Sequence, residues 1–388
     1  MNGAANGSAL RIGIVAGESS GDQLGAALID ALRARVPAVQ CFGVAGPRMI
    51  AAGCEPWASA EELAVMGLTE VMPHLPRLLR LRRELVRRMC AAPPHVFVGV
   101  DYKEFNLSVA RRLKACGIRT VQYVSPQVWA WRPGRVKTIA SAVDLVLCLL
   151  PFEAAFYASH GVRAVFVGHP LADEIPLEAD RAAARAALQI APDATLVALL
   201  PGSRVGEVER LGAAFADAAA FIARSRAHVQ FIAPMATIAS RRTFEREAGP
   251  LFPAIRVVDG GARQVLAACD VALVASGTAT LEAMLSQRPM VVAYKLAAVT
   301  AFIARRLGVV KSRFMALPNL LAGRLLVPEF FQENVTAATL GAAVLAELDD
   351  PERARTLQAE FRRIHMELRC GGAARAASAI LECAGFAA

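Results

Sequence analysis

Short apolar runs alternate with helix-period patterns along this chain. The runs lie at Ile12–Ala16, Val96–Val100, Thr120–Val124, Leu145–Leu149 and Ala164–Val167, and between them apolar residues recur three or four apart, as at Leu24, Leu28 and Leu32. Uninterrupted apolar runs suit strands buried on both faces, and the helical spacing suits the crossovers that parallel strands need. After Gly168-His169-Pro170, and through Pro176 and Pro192, the pattern restarts with Leu196–Leu200, Val229–Ala233, Ile255–Val258, Val271–Ala275 and Met290–Ala293. The predicted fold class is α/β: two doubly wound Rossmann-like domains, joined near residues 170–176, facing a cleft at the carboxyl ends of their strands. The predicted divisions are residues 1–172, residues 173–333 and a helical segment 334–388. That last segment carries apolar stripes at Leu340, Val344, Leu348 and at Leu357, Phe361, Ile364, Leu368, and is expected to pack back on the first domain.

Two strand-to-helix turns in the second half look built for an anion. Leu200-Pro201-Gly202-Ser203-Arg204 ends one apolar run and precedes a helical pattern at Val208, Leu211, Phe215, Ala219 and Ile222. Such a turn aims backbone N–H groups and the positive end of a helix dipole at one point, and Ser203 and Arg204 add a hydroxyl and a permanent cation. Ser276-Gly277-Thr278 follows Val271–Ala275 in the same way. Two such turns in one half suggest a nucleotide diphosphate. Glu282, four residues after Thr278, is placed either to accept hydrogen bonds from ribose hydroxyls or to be a solvated helical glutamate.

The first half offers different chemistry. Ala16-Gly17-Glu18-Ser19-Ser20-Gly21-Asp22 follows a strand but has neither the Gly-x-Gly-x-x-Gly of a dinucleotide fold nor the Gly-Lys-Ser/Thr of a P-loop. Small residues such as Gly17 and Ser19 let a ligand approach the backbone, and Glu18 stands where a strand end presents it to the cleft. Asp22 is either a ligand or a plain helix cap. Asp101 closes Val96–Val100, and reads either as a turn former or as a general base whose pKa is tuned by burial. Val124-Ser125-Pro126-Gln127-Val128-Trp129-Ala130-Trp131-Arg132 sets two tryptophans and an arginine in a strand-to-loop segment. They wall a sugar or acyl site or fill the core near a hinge.

Composition narrows the class. Of 388 residues, 55% are hydrophobic and 20% charged, enough to bury two large cores. The mean hydropathy of +0.40 further suggests apolar surface that meets lipid. No run reaches the ~18 apolar residues of a spanning helix, because Asp270, Glu282 and Arg288 divide the most apolar region. Met1–Leu10 is small and polar and Ile12–Ala16 is too short for a signal-peptide core, so the cytoplasm is the expected compartment. Eight cysteines show no Cys-x-x-Cys pair and read as reduced core residues, and the six histidines show no metal-binding spacing. Neither a metal nor a cofactor is expected.

A net charge of +9 calls for an acidic partner. Six arginines and one glutamate lie between Arg77 and Arg88, with Leu78, Leu81, Leu85 and Met89 on one helical face and Arg80, Arg83 and Arg87 on another. Just before them comes Leu63-Ala64-Val65-Met66-Gly67-Leu68, then Val71 and Met72. An apolar stretch beside a cationic helix suits an anionic membrane surface, and a solvated arginine face on an ordinary helix is the plainer alternative. Nucleic acid is not expected, for want of interleaved aromatics or an RNA-binding motif.

Taken in order, the motifs resemble the lipid-A-disaccharide synthase family of GT-B glycosyltransferases. They are residues 16–22, Gly43-Val44-Ala45-Gly46-Pro47-Arg48-Met49, Glu62–Gly67, Tyr123–Arg132, Leu199–Arg204, Ser276–Glu282 and Leu317-Pro318-Asn319-Leu320-Leu321-Ala322-Gly323. The resemblance implies transfer of 2,3-diacylglucosamine from UDP to the 6-hydroxyl of 2,3-diacylglucosamine 1-phosphate, with inversion, giving a β-1,6 disaccharide and UDP without a metal. It makes Asp101 the favoured base and Glu18 the second choice, with Arg204 stabilising the departing diphosphate. Asn319 and Gln332 match polar family positions near the nucleotide or acceptor. Where the family often has Ala-Pro-Asp, this chain has Tyr102-Lys103-Glu104, while Asp101, Phe105 and Asn106 are retained. Two other readings stay open: a UDP-sugar 2-epimerase, which needs no basic apolar helix, and a two-domain anion-binding protein. A homodimer formed by exchange of the C-terminal helices is also compatible with the sequence.

Overall fold

Thirteen strands, each parallel to its neighbours, form two separate sheets among the residues described by the computed structural model, which are 9–63, 68–131, 133–296 and 314–386. The first sheet comprises β1 (Arg11–Ala16), β2 (Gln40–Ala45), β3 (Glu55–Ser59), β4 (Val96–Val100), β5 (Arg119–Tyr123), β6 (Leu145–Cys148) and β7 (Ala164–Phe166), in the order β3-β2-β1-β4-β5-β6-β7. The second comprises β8 (Leu196–Leu200), β9 (Gln230–Met235), β10 (Arg256–Asp259), β11 (Val271–Ala275), β12 (Met290–Tyr294) and β13 (Glu329–Phe331), in the order β10-β9-β8-β11-β12-β13. Each order reverses once, between β1 and β4 and between β8 and β11. Those are the points where doubly wound sheets open to ligands.

All five residues of β4, β8 and β11 are buried, as parallel strands covered on both faces require. One face of the first sheet carries helix α1 (Ser19–Arg35) and the helix Gly372–Ala384, through Leu28, Ile29, Leu32, Ala376, Ala377 and Ile380. Met49 of α2 (Pro47–Ala51) joins that same cluster, and the other face carries α3 (Leu68–Ala91) and α4 (Lys103–Ala115) through Leu85, Met89, Val109 and Leu113. The strands β2, β3 and β13 have no counterpart among the predicted runs. β2 is interrupted by Gly43, whose φ of 144° brings a would-be Cβ to 2.1 Å from the Ile14 carbonyl oxygen, and β3 is an edge strand holding Pro56.

The chain divides into Met1–Asp173 with Leu368–Ala388, and Glu174–Glu367. The tail therefore does not pack as one piece. The helix Ala337–Asp349 buries Leu340 and Val344 with Val208, Leu211 and Phe215 in the second unit, and only the last helix joins the first. An apolar stripe shows that a helix is covered but not which sheet covers it. At the crossing, the Asp173 carboxylate accepts the backbone N–H groups of Gly371 and Gly372 at 2.9 and 2.7 Å, capping the last helix.

Two further expectations are corrected. Leu63, Leu78, Leu85 and Met89 lie in the first unit's own core, so these apolar positions of the expected membrane-facing region are already covered. Arg80, Arg83 and Arg87 stay exposed, residues 64–67 lie outside the described residues, and nothing is described of the Val71 and Met72 side chains. The cysteines are not all reduced, because Cys90 at the end of α3 is bonded to Cys116 just after α4. Burial does hold the thiols of Cys41, Cys54, Cys148 and Cys269 above their usual pKa, as core cysteines should be.

The disulfide closes a loop of sequence separation 26. Loop-closure entropy for that length is about 3.5 kcal/mol. Reduction, or Cys90→Ser with Cys116→Ser, is expected to lower the melting temperature of the first unit by roughly 5–10 °C. Thermal melts with and without a phosphine reductant check this, and identical melts would mean the bond contributes nothing.

Candidate active site

The first unit gathers its candidate groups at the switch between β1 and β4. Glu18 and Ser19 are exposed at the start of α1, and Gly17 is buried at the end of β1, where a Cβ would stand 2.7 Å from the Tyr102 ring. Ser20 Oγ donates to Asp101 Oδ2 at 3.5 Å. Asp22 turns away from this group. Its two carboxylate oxygens accept the N–H groups of Arg48 and Met49 at 3.0 Å, so it caps α2.

Asp101 sits in a left-handed conformation, with φ of 52°, and Val124 at the end of β5 has φ of 74°. Left-handed backbone costs about 1–3 kcal/mol at a residue that is not glycine, most at a β-branched one, so surrounding contacts have to enforce it. Two buried side-chain amides do so. Asn106 Nδ2 donates to the carbonyls of Val15, Val100 and Asp101 at 3.3, 3.1 and 3.3 Å. Gln122 Nε2 donates to those of Asp101, Tyr123 and Val124 at 2.8, 3.3 and 3.4 Å. Because every partner is a carbonyl oxygen, the amide orientations are fixed. The amide oxygens Asn106 Oδ1 and Gln122 Oε1 are buried with no hydrogen-bond partner among the described residues.

The Asp101 carboxyl has its pKa pushed above the usual 3.8, chiefly by burial. Lys103 and the hydrogen bonds from Ser20 and the Tyr102 backbone pull it back in part, and Glu104 adds to the rise. That is the direction a general base working near neutral pH requires.

Beside it, the segment after β5 forms a closed polar network. Ser125 Oγ lies 3.3 Å from the Tyr157 hydroxyl, and Trp129 Nε1 donates to Glu153 Oε1 at 3.0 Å while the indole packs edge-on to Phe152. Glu153, buried and raised in pKa mainly by that burial, also accepts the Leu150 N–H at 3.1 Å. Ser125 and Trp129 are thus bound into the protein's own interior. Sequence reading passed over Glu153, although its place two residues after Pro151 marks the first turn of a helix. Nothing is described of the Trp131 side chain, and Arg132 lies outside the described residues.

In the second unit the turns after β8 and β11 flank the other switch. Gly202 has φ of 128°, and a Cβ there would lie 2.5 Å from Glu207. Glu207 Oε2 accepts the N–H groups of Ser203 and Arg204 at 3.0 and 3.3 Å. The anion expected at these donors is, in the protein alone, its own carboxylate. A glutamate three residues after a helix cap signals this arrangement, and it went unread. The Arg204 guanidinium keeps 71% of its side-chain surface exposed and lies 3.6 Å from Glu207.

After β11, Gly277 has φ of 137° with open space where a Cβ would be, and Thr278 is exposed. Ser276 Oγ donates to the Met315 carbonyl at 3.3 Å. Glu282 pairs with Arg263 at 3.2 Å, which also binds Glu174 at 3.0 Å, so it is not a free acceptor. Gln332, with φ of 51°, accepts the Leu296 N–H at 2.7 Å. Asn319 is fully buried, accepting the N–H groups of Leu326 and Val327 and donating to the Val327 carbonyl, so it shapes a loop instead of facing a ligand.

Two parallel sheets, each with candidate polar groups at its switch point, define a GT-B glycosyltransferase fold. Over 98% of this chain and 99% of that one, the calicheamicin glycosyltransferase CalG4 superposes with a TM-score of 0.56 at 18% identity. A UDP-GlcNAc 2-epimerase from Neisseria meningitidis, solved with UDP-GlcNAc bound, gives 0.60 over 96% and 98% at 9% identity. Likeness at this level carries the fold alone. The family model for lipid-A-disaccharide synthetase matches residues 12–382. Lipid-A-disaccharide synthases from Pseudomonas aeruginosa (strain UCBPP-PA14) and Serratia proteamaculans (strain 568) are 51% and 48% identical over 96% and 97% of this chain and 98% of each of those proteins. The chain belongs to the lipid-A-disaccharide synthetase family, glycosyltransferases of lipid A biosynthesis.

Burial of Asp101 has a consequence for stability. With its folded pKa raised above the unfolded value, the folded state holds the proton more tightly. The stabilisation this gives is complete below the unfolded pKa and is lost as pH rises through the folded one. Asp101→Asn is therefore expected to melt higher than the parent at pH 7, with the gap closing as the pH is lowered. A variant that melts lower at pH 7 would show that contacts to the carboxylate outweigh its desolvation.

Proposed function

We propose that the protein condenses UDP-2,3-diacylglucosamine with 2,3-diacylglucosamine 1-phosphate into the β-1,6-linked disaccharide 1-phosphate, releasing UDP. The observation that carries the reading is the pairing of near-complete kinship to lipid-A-disaccharide synthases with a half-buried carboxylate, Asp101, at the first sheet's switch point. Asp101 takes the proton of the acceptor 6-hydroxyl as that oxygen attacks the anomeric carbon. The bond to the UDP oxygen breaks from the opposite face, which inverts the centre. Glu18 and Gly17 line the acceptor side, and Glu18 is the reserve base. On the donor side, the turns Gly202-Ser203-Arg204 and Ser276-Gly277-Thr278 hold the diphosphate, with Gln332 near the nucleotide. Arg204, exposed and only loosely paired, meets the charge that develops on UDP.

The epimerase alternative shares the fold but not the family. Exposed Arg80, Arg83 and Arg87 form a cationic strip suited to an anionic membrane surface, which supports a peripheral location on the cytoplasmic face of the inner membrane. No helix among the described residues is long and apolar enough to cross a membrane.

UDP release with diacylated against non-acylated UDP-glucosamine tests the substrate class. A strong preference for the acylated donor is expected, and equal rates would remove the lipid donor from the reading. In the same assay Arg204→Ala is expected to lose about 10²-fold in turnover, and Asp101→Ala to fall to a low but measurable residual rate while UDP affinity stays intact. Arg80→Ser with Arg83→Ser and Arg87→Ser is expected to weaken sedimentation with phosphatidylglycerol vesicles, and unchanged sedimentation would return that helix to plain scaffold.

A further inference from the structure

The carboxyl ends of β1, β4 and β5 meet at two buried amides, and their geometry points past packing. Gly99 of β4 lies beside Val15 of β1 and Gln122 of β5 in the sheet register. With no Cβ at Gly99, the Gln122 side chain has room to run up to the end of the sheet. A methyl there would stand 2.7 Å from Asn106 Cβ and 3.1 Å from Gln122 Oε1. The two amides converge on one atom. Asp101 O accepts from Asn106 at 3.3 Å and from Gln122 at 2.8 Å, while Asp101 N donates to Tyr123 O at 2.8 Å. Both ends of one left-handed residue are thereby tied to the sheet, while among the described residues the side-chain hydrogen bond to its carboxylate is the long one from Ser20.

A buried amide placed for stability alone would have both its oxygen and its nitrogen paired. Here both oxygens are unpartnered among the described residues, and every N–H is directed to strand-end carbonyls around Asp101. Such an arrangement sacrifices hydrogen bonding to hold one backbone conformation.

We propose that Asn106 and Gln122 are positioning residues for the transfer reaction, acting together through the Asp101 carbonyl to hold Asp101 in the left-handed conformation that aims its carboxylate at the acceptor hydroxyl. The proposal rests on Asp101 being the base. Neither amide touches substrate. Gly99 belongs to the same device, as the gap through which Gln122 reaches.

Displacement of a reacting group by about 1 Å costs on the order of 10²-fold in rate without weakening binding. Gln122→Met keeps the side chain's length and removes its donor. Gly99→Ala leaves both amides in place but pushes on them, and so serves as an independent variant should Gln122→Met fold poorly. For each, kcat, the KM of both substrates, UDP affinity and the melting temperature are measured. The expected result is a 10- to 100-fold fall in kcat with both KM values and UDP affinity within about twofold of the parent. In an Asp101→Ala background the same substitutions should cost nothing further, since residues acting through one group are not additive.

Folded variants with parental kcat would overturn the proposal, and so would an equal loss in the Asp101→Ala background, because the amides would then act on something other than Asp101. An Asp101→Ala enzyme that keeps its activity would instead overturn the base assignment itself.

Discussion

A parallel strand that stops leaves carbonyls pointing along its edge, and in a covered sheet those carbonyls need partners before anything else can be built there. In the first unit Asn106 and Gln122 supply them at β1, β4 and β5 together. The turn that follows β4 depends on this, because the left-handed backbone of Asp101 has no local reason to persist. Main-chain bonds recur in both sheets, Asp101 N–H to the Tyr123 carbonyl in the first and Ser276 N–H to the Ala293 carbonyl in the second, and in the first the two amides add to them.

The alternation of apolar runs with helical spacing made both sheets legible, since fully buried strands such as Val96–Val100 and Leu196–Leu200 leave no polar residue to blur the pattern. The same burial accounts for much of the high hydropathy. Two sheets covered on both faces consume apolar residues, and the large exposed ones among the described residues, such as Ile50, Leu251 and Met366, stand far apart in the sequence. Edge strands were illegible for the opposite reason: β3 and β13 are short and half-exposed, with Pro56 in one and three residues in the other. The tail misled because a stripe on a helix carries no address.

At the site, residue type and turn position were readable, while partners were not. Asp101 and Gly202 follow from their places after apolar runs. Asn319 and Glu282 fit ligand roles equally well by position, but one is consumed by the Leu326 and Val327 backbone and the other by Arg263. Those partners lie 7 to 19 residues away in sequence, beyond the reach of local pattern. Gln122 was hidden inside an apolar run, where a lone polar residue reads as a break in a strand. A single glutamine in a strand that is otherwise buried is the signal that could have exposed it, because burying an amide without a purpose is unfavourable.

One fold position serves opposite electrostatic ends in the two units. The turn after β1 and its neighbour after β4 present Glu18, Asp101 and Glu104, whereas the turn after β8 presents backbone N–H groups and Arg204. On the proposed reading the first sheet removes a proton and the second receives the charge left on the departing diphosphate. Glu207 sharpens this division. Its Oε2 alone accepts both the Ser203 and Arg204 N–H groups, so on that reading a diphosphate held at these donors would have to displace a covalently tethered carboxylate oxygen. The displaced carboxylate, whose other oxygen lies 3.6 Å from the Arg204 guanidinium, would then moderate the attraction of that cation for the product. A site that held UDP with an unopposed arginine and free helix donors would release it slowly. On the proposed reading, an internal anion at the same donors would keep ground-state binding modest while leaving Arg204 exposed to act on the charge of the transition state.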